Sequence, residues 1–169
     1  LVPRLAHAPQ NARTQHVAPT AHVHLVTGGT GGLGLLTARW LAQPGAARAL
    51  ALASRAGVLA RSSVAEWAVV RATHTHALVQ RCDAASAAHL GRLVVTAAAP
   101  SVGVWHAAGV LADGVLPGQA AKALARVCAP KAHGAWALHR ACATAVVAVC
   151  ALFSSVAALL GGAGQANYA

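Results

Sequence analysis

The sequence has no methionine and only one tyrosine, one phenylalanine and three acidic residues in 169 positions. Its hydrophobic fraction of 57% nevertheless excludes a disordered chain and is ample for the core of one domain. Because much of this fraction is alanine, we expect a core built largely of small side chains. A chain that begins at Leu1 and has no methionine is predicted to be a piece of a longer protein.

Acidic side chains are limited to Glu66, Asp83 and Asp113, against thirteen Lys and Arg residues, which gives a net charge of +10. Such a charge predicts attraction to an acidic partner, whether nucleic acid, anionic lipid or protein. The arginines are scattered and are not interleaved with aromatic residues as in single-strand binders. A basic nucleic-acid-binding module therefore rests on charge alone, and we expect neither a nucleic acid nor a membrane as partner.

Paired cysteines of the CxxC type are absent, and the four cysteines are spaced too widely to indicate a metal site or a disulfide framework. We expect them to be small core residues in a reducing compartment. The histidines His22/His24 and His74/His76 form i,i+2 pairs, which share one face of a strand. Without a neighbouring carboxylate cluster, these pairs are interpreted as surface or edge residues, and no metal is predicted.

No apolar run typical of a signal peptide occurs in the first twenty residues, and a cytoplasmic location is expected. One segment without charge, Ala141 to Leu160, is long enough to span a bilayer. The same segment is also typical of a buried parallel strand, "TAVVAV", followed by a glycine-rich loop. We favour the strand, because the rest of the chain predicts a sheet that requires it.

Residues 1–21 contain three prolines and no sustained period, and are interpreted as a linker or the end of a preceding subdomain. From residue 22 to residue 169, short apolar strands alternate with segments of helical periodicity, which predicts an α/β fold with a doubly wound parallel sheet of Rossmann type. The expected strands are 22–27, 47–54, 76–83, 102–108 and 145–153. The expected helices are 33–43, 63–72, 86–98 and a stretch from about 118 to 143 interrupted at Pro130.

A glycine cluster, "TGGTGGLG" from Thr27 to Gly34, lies between the first predicted strand and the first predicted helix. Glycines there allow a sharp turn and a close approach to a pyrophosphate, whose charge is favoured by the positive end of the helix. A glycine motif alone is weak evidence, but this position in an alternating domain favours dinucleotide binding over a structural turn.

The end of the second strand distinguishes between the two nicotinamide cofactors. An NAD enzyme typically has an acidic residue there, whereas this chain has Ser54 and Arg55, which suit a 2′-phosphate. NADPH is therefore favoured, although Arg55 could also be one of many surface arginines. Asp83, which closes the third predicted strand, is placed to accept from the adenine amine, or alternatively to serve as a helix N-cap.

Six motifs occur in a familiar order and spacing: "TGGTGGLG", "LALASRAG", "CDAAS", "VWHAAGVLADGVL", "APKAHGAWALH" and "FSSVAALLGGAGQANYA". Together they resemble the ketoreductase domain of modular polyketide synthases and animal-type fatty-acid synthases, a branch of the short-chain dehydrogenase/reductase superfamily. The resemblance covers about residues 22–169. It implies a fold that is incomplete at the C-terminus, since the family continues beyond the position of Tyr168.

The resemblance implies a catalytic set of Tyr168 as the acid, Ser155 as a hydrogen-bond donor and Lys131, whose charge would lower the pKa of Tyr168 and which would hold the cofactor ribose. Simple short-chain dehydrogenases instead have their lysine four residues beyond the tyrosine, past the last residue of this sequence. The cofactor-binding residues implied in the same way are Thr27, Gly28, Gly29, Thr30, Gly31, Gly32, Leu33, Gly34, Ser54, Arg55, Asp83, Ala107, Ala108, Lys131 and Tyr168.

The implied activity is NADPH-dependent reduction of a β-ketoacyl thioester, carried by an acyl carrier protein domain, to the β-hydroxyacyl thioester within a larger synthase. The neighbouring synthase domains would be further partners. Leu111-Ala112-Asp113 and Ala157 favour the class that yields the D-alcohol. Two alternatives stay open: a nucleotide-binding or scaffold fragment without turnover, and a stand-alone short-chain dehydrogenase.

Overall fold

A computed structural model of the chain describes residues 20–73, 75–97 and 99–168, the last of these by its backbone. The predicted linker or subdomain end at residues 1–21 lies almost wholly outside the described residues, as does His74. Both interpretations therefore stay predictions.

Five parallel strands form one sheet in the spatial order β3-β2-β1-β4-β5. The predicted doubly wound parallel fold is thus confirmed. The chain adds β2 and β3 on one side of β1 and then β4 and β5 on its other side, so the strand order reverses between β1 and β4. Ligands of such sheets bind at the carboxyl ends of the strands next to this reversal. The strands are β1 (Ala21–Thr27), β2 (Ala47–Ser54), β3 (His76–Arg81), β4 (Val102–His106) and β5 (Val147–Leu152).

Helices connect the strands, and each begins within about two residues of its expected position where a single helix was predicted. Short 3₁₀ turns occupy Arg61–Ser63, Leu116–Gly118, Cys142–Thr144 and Ala166–Tyr168. The α-helices are α1 (Gly32–Leu41), α2 (Val64–Arg71), α3 (Ala87–Ala97), α4 (Ala121–Cys128), α5 (Gly134–Ala141) and α6 (Ala157–Leu160).

Alternate strand residues point to opposite faces of the sheet and form two separate cores. On one face, Leu50 and Leu52 of β2 pack with Leu35 of α1 and Val70 of α2. On the other face, Ala51 and the strand residues on the same side of the sheet pack with the buried leucines of α3 and α5, which are Leu90, Leu93 and Leu138. The sheet is therefore covered on both sides, and its carboxyl edge is the place left for a site.

Pro130 does not end the predicted helix, in contrast to our expectation. Residues Ala129–His133 form a π-helical turn that joins α4 directly to α5. Since proline has no amide hydrogen, it disturbs the regular hydrogen-bond ladder, and the wider turn accommodates that disturbance without a break. Lys131 lies inside this turn.

The interpretation of His24 as a surface or edge residue is wrong, because its side chain is fully buried in β1. Gly103 on neighbouring β4 has no side chain, and the imidazole of His24 occupies the space where a Cβ would lie. Trp105 Nε1 donates to His24 Nδ1 at 3.0 Å. His22, its i,i+2 partner, is exposed as expected, as is His76.

The uncharged segment from Ala141 to Leu160 contains the end of α5, a 3₁₀ turn, β5 and α6. The strand interpretation is therefore confirmed for its central part. Within the described ranges, no helix combines the length and the apolar character that crossing a bilayer requires. The same ranges contain no cluster of three His, Cys, Asp or Glu side chains that could hold a metal ion.

Candidate active site

One cavity of ≈ 350 Å³ opens at the carboxyl edge of the sheet, where β1, β2, β3 and β4 end. Several separate chain segments contribute to its wall, and most are loops that directly follow a strand. This is the position expected for a ligand in an open parallel sheet. The lining residues are Gly28, Thr30, Gly31, Ser54, Arg55, Ala56, Cys82, Asp83, Ala84, Ala107, Ala108, Gly109, Val110 and Pro130.

The glycine turn between β1 and α1 forms one wall of the cavity. Gly28 has φ +69°, and a Cβ on it would lie 2.6 Å from the carbonyl oxygen of Ala107. The amide of Gly29 donates to Ala53 O at 3.0 Å, which joins the turn to the end of β2. Helix α1 follows after Gly31 with no side chain capping its N-terminus. Its first amides therefore suit an anionic ligand such as a pyrophosphate.

The loop after β2 brings Ser54 and Arg55 to the same cavity. Ser54 closes a tight turn, because Gly57 N donates both to its Oγ at 3.1 Å and to its carbonyl at 3.2 Å. Arg55 is exposed, so its guanidinium can reach a ligand from solvent. Both residues thus line the cavity, and their role toward a 2′-phosphate stays a prediction.

Asp83 lines the cavity from the loop between β3 and α3. Its Oδ1 accepts from Ala85 N at 3.0 Å, which forms a local turn. The alternative role as a helix N-cap is wrong, since α3 begins at Ala87 and the preceding residue, Ser86, accepts from His89 N at 3.4 Å. Beside Asp83, burial raises the pKa of the Cys82 thiol, and the Asp83 charge adds to that effect.

His106, at the end of β4, bridges two other segments beneath the cavity. Its Nδ1 lies 2.7 Å from Thr27 Oγ1, and its Nε2 lies 2.8 Å from the carbonyl oxygen of Pro130. The ring is almost fully buried. Burial is the largest influence on His106 and lowers its pKa, and the nearby Lys131 charge acts in the same direction.

Lys131 projects from the π-helical turn toward the end of β5. Its Nζ donates to the carbonyl oxygen of Phe153 at 2.8 Å. Gly109, a cavity residue, lies close to the same side chain, since a Cβ there would lie 3.1 Å from Lys131 Cε. Partial burial lowers the pKa of Lys131. The ammonium group is therefore held between the cavity and the segment that contains Ser155.

Ser155 follows β5 and is partly buried, and its Oγ accepts from Ala157 N at 3.2 Å. A hydroxyl that accepts a hydrogen bond keeps its own proton for donation. The backbone of Tyr168 ends the 3₁₀ turn Ala166–Tyr168. Just before it, Asn167 Nδ2 donates to Ala112 O at 2.9 Å, which joins this turn to the loop after β4.

The structure brings together much of the predicted set. Of the predicted cofactor residues, the cavity includes Gly28, Thr30, Gly31, Ser54, Arg55, Asp83, Ala107 and Ala108. Its lining does not include Thr27, Gly29, Gly32, Leu33, Gly34 or Lys131. Thr27 is buried and bonds His106, whereas Gly34 packs against the backbone of Gly28 and Gly29. The cofactor roles of these residues stay predictions.

Sequence reasoning missed His106, Gly109 and Pro130 as parts of the site. His106 lies within the "HAAG" motif, and its place at the end of a buried apolar strand was the signal that could have identified it. For Pro130 the sequence indicates only an interruption of a helix. The one sequence signal for Gly109 is its place as the glycine of the same motif.

Comparison with known proteins gives one consistent result. The KR domain family model matches residues 22–169. Polyketide synthase GfsB of Streptomyces halstedii is 42% identical over 147 residues, which are 86% of this chain and 3% of that protein. The spectinabilin polyketide synthase system protein NorA of Streptomyces orinoci is 42% identical over 175 residues, covering 100% of this chain and 9% of that protein. The chain thus spans a small part of these curated relatives.

Solved structures agree with the sequence relatives. An A1-type ketoreductase superposes with a TM-score of 0.82 at 32% identity, covering 98% of this chain and 35% of that one. The first ketoreductase of the tylosin polyketide synthase gives 0.78 at 33% identity, covering 89% and 33%. A short-chain dehydrogenase/reductase of Serratia marcescens, at 23% identity and a TM-score of 0.70, covers 88% of this chain and 62% of that one and supports the fold alone.

Proposed function

Because the chain belongs to the KR (ketoreductase) domain family found in polyketide synthases, whose members are dinucleotide-dependent oxidoreductases, we propose that it reduces a β-ketoacyl thioester to the β-hydroxyacyl thioester with NADPH. The observation that carries the proposal is the shared cavity. Its wall is made by the glycine turn, Ser54, Arg55 and Asp83 on one side and by Gly109 and Pro130, the neighbours of Lys131, on the other.

The residues present fit a dinucleotide. The uncapped N-terminus of α1 would hold the pyrophosphate, because the amide groups there lack side-chain partners, and the glycines of the turn let its backbone pack closely against neighbouring main chain. Arg55 would pair with the 2′-phosphate, and the Ser54 hydroxyl would contribute a further hydrogen bond. Asp83 would accept from the adenine amine.

A bound nicotinamide supplies the hydride for the ketone carbon. Negative charge then develops on the ketone oxygen, so the site must provide a proton and a hydrogen-bond donor. Ser155 donates its hydroxyl proton in a hydrogen bond to that oxygen, which its bond from Ala157 N leaves it free to do. Tyr168 transfers the proton that completes the alcohol.

Lys131 acts on Tyr168 through its positive charge, which stabilises the phenolate left after proton transfer. One of its three N–H groups is directed to Phe153 O. The other two are assigned to the cofactor ribose and to the tyrosine oxygen. Because burial lowers the pKa of Lys131, the side chain loses its positive charge at a lower pH than it would without burial. Its stabilisation of the phenolate therefore declines as the pH rises.

We assign the thioester to an acyl carrier protein domain and the neighbouring domains to a polyketide or fatty-acid synthase. Support comes from the relatives, which are synthases many times longer than this chain, and from the net charge of +10, which favours an acidic carrier. The D-configuration of the product alcohol stays a prediction, and chiral separation of the product tests it.

The test follows NADPH oxidation by the chain with a simple β-ketoacyl thioester and compares it with Tyr168→Phe and Ser155→Ala. Loss of the proton donor is expected to lower kcat by about 10²-fold or more for Tyr168→Phe, with a smaller loss for Ser155→Ala. NADPH binding, followed by nicotinamide fluorescence, is expected to stay unchanged in Ser155→Ala and to weaken less than turnover does in Tyr168→Phe, since Tyr168 is also an implied cofactor-binding residue. Ser154→Ala, one residue away, serves as the matched control. Saturable NADPH binding without turnover would favour the alternative of a nucleotide-binding scaffold, and absence of binding would overturn the proposal.

A further inference from the structure

The buried imidazole of His106 has both ring nitrogens engaged. Thr27 Oγ1 lies 2.7 Å from Nδ1, and the carbonyl oxygen of Pro130 lies 2.8 Å from Nε2. The side chain therefore connects the last residue of β1, the end of β4 and the π-helical turn. No role in the proposed reaction has been given to it so far.

The chemistry of the two partners fixes the tautomer of His106. A carbonyl oxygen can only accept, so Nε2 must carry the proton and donate to Pro130. Nδ1 of a neutral imidazole is then an acceptor, and Thr27 donates its hydroxyl proton to it. The Nε2 donor of the ring thus has an acceptor, and its Nδ1 acceptor has a donor. This is the pattern that a neutral imidazole requires.

The π-helical turn makes the Pro130 carbonyl available to His106. In a regular α-helix that carbonyl accepts from the amide four residues later, which is Gly134. Here the Gly134 amide instead donates to the carbonyls of Ala129 and Lys131. Gly134 also lets α5 approach the ring, since a Cβ there would lie 3.3 Å from His106 Cε1.

Lys131 is the residue that follows this anchored carbonyl. Its own side chain is fixed at the far end, where Nζ donates to Phe153 O at 2.8 Å. The position of Nζ thus depends on two supports: the Phe153 carbonyl at its tip and the Pro130 carbonyl at its base. Thr27, the third member of the bridge, begins the glycine turn. The bridge therefore also fixes the position of that turn relative to Lys131.

We propose that His106 is a positioning residue that holds Lys131 in register with the glycine turn by bridging Thr27 and the Pro130 carbonyl. The proposal rests on the proposed function for its catalytic consequence. Its structural content, the placement of Lys131, can be measured without turnover. His106 itself does not touch the reacting atoms in this scheme.

Two lysines, Lys122 and Lys131, make the placement directly observable. With lysine labelled at Cε with ¹³C, the chain gives two resonances, of which that of exposed Lys122 is an internal reference. His106→Leu removes both bonds of the bridge. We expect the Lys131 resonance to shift and its titration to move to higher pH, because a displaced ammonium becomes more hydrated. The Lys122 resonance stays in place.

Two further variants separate positioning from general damage to the core. His106→Gln retains an N–H that can reach Pro130 and is expected to restore most of the Lys131 signal. His24→Leu removes another fully buried histidine, on β1, whose bond goes to Trp105, and is expected to leave Lys131 unchanged. If His106→Leu does not fold, Thr27→Val tests the same bridge from its other end and is expected to shift Lys131 in the same direction.

Kinetics give the catalytic consequence. His106→Leu is expected to lower kcat by about tenfold or more with little change in the KM for the thioester, and His106→Gln to recover most of the loss. An unshifted Lys131 resonance in both His106→Leu and Thr27→Val, or an equal shift in His24→Leu, would overturn the proposal. A shifted resonance in a chain without any turnover, wild type included, would support the positioning role and count against the proposed function instead.

Discussion

We expect the choice between the two nicotinamide cofactors to depend on Arg55. It follows β2, lines the cavity beside Ser54 and is exposed. Another arginine, Arg48, lies near the amino end of the same strand and is equally exposed, but at the opposite edge of the sheet. Comparing substitutions at these two arginines therefore distinguishes a local contact with the cofactor from an effect of net charge.

We expect Arg55→Ala to weaken NADPH binding by about tenfold or more, which corresponds to the loss of one charge-assisted hydrogen bond to a phosphate. NADH binding is expected to change little, because NADH has no 2′-phosphate. Fluorescence titration with both cofactors measures the two dissociation constants. Equal weakening of NADPH binding by Arg48→Ala would attribute the effect to overall charge and remove Arg55 from the site.

His106 also predicts how the stability of the chain depends on pH. Its pKa in the folded state is lowered, mainly by burial, whereas in the unfolded state it has its ordinary value of about 6.5. Below that value the unfolded chain binds more protons than the folded one, so the free energy of unfolding falls as the pH decreases. The stabilisation is fully present above about pH 6.5.

Urea unfolding of the wild type and His106→Gln at several pH values measures this dependence. The variant has no group to titrate at this position, and we expect its stability to decline less steeply on acidification. His139→Gln, at an exposed position on α5, makes the same substitution outside the core and is the control. Identical slopes for wild type and His106→Gln would show that His106 is not a source of the dependence.

Single residues were the scale at which sequence reasoning was least complete. The positions of Ser54, Arg55 and Asp83 could be predicted because they lie at or just after the ends of β2 and β3, and a strand end fixes its place at the sheet edge. The burial of His24 could not, since it depends on Gly103 of another strand that pairs with β1. The bridge through His106 likewise depends on a carbonyl in a turn that forms only when Pro130 is accommodated.

Secondary-structure elements followed the sequence closely, because strand and helix periodicity is a local property. β2 covers the predicted residues 47–54, β1 begins one residue earlier than predicted, and β3, β4 and β5 are shorter than predicted by two or three residues. The exception is the junction at Pro130, where a break was expected and a π-helical turn is present. Local sequence signals the disturbance at a proline, but neighbouring elements decide how the chain accommodates it.

Helix α3 offers a test of packing at the scale of an element. Gly91 lies in its middle, and a Cβ there would meet nothing within 4 Å. Gly91→Ala is expected to stabilise the fold by about 0.5–1 kcal/mol, because alanine restricts the unfolded chain and favours helix. Urea unfolding measures the change.

The matched variant is Gly34→Ala in the first turn of α1, where a Cβ would collide with the backbone of Gly28 and Gly29. This substitution is expected to cost about 3 kcal/mol or more, since the colliding atoms belong to main chain that cannot move aside. Should Gly34→Ala be as stable as the wild type, the close packing of α1 on the glycine turn would be disproved. Destabilisation by Gly91→Ala would contradict the open surface at α3.

At the scale of the whole molecule, the sheet has two edges of different character. β3 ends in Gln80 and Arg81, and its edge is therefore polar at one end. β5 has no charged residue, and the whole segment from Ala141 to Leu160 has none. In the part of the chain that the structure describes, β5 pairs with β4 alone. Among the described residues, no strand pairs with its other side, which is an uncharged edge of backbone amides and carbonyls.

We expect this edge to promote self-association of the chain. Val146, just before β5, and Leu152, at its end, have 69% and 57% of their surfaces exposed, so pairing of two edges would also bury apolar side chains. Sedimentation velocity at increasing protein concentration, with reductant present because Cys150 is exposed, is expected to show a growing fraction of dimers and larger species. High salt is expected to increase that fraction by screening the repulsion between basic chains.

Ala148→Lys places a charge on the exposed side of β5 and is expected to shift the distribution to monomer, as edge lysines do in natural sheets. Ala125→Lys, at an exposed position of α4, adds the same charge away from the edge and is the control. If both variants suppress association equally, net charge and not the β5 edge is responsible. A wild-type chain that stays monomeric throughout the concentration series would refute the prediction, because an unpaired apolar edge would then be protected by a feature other than charge.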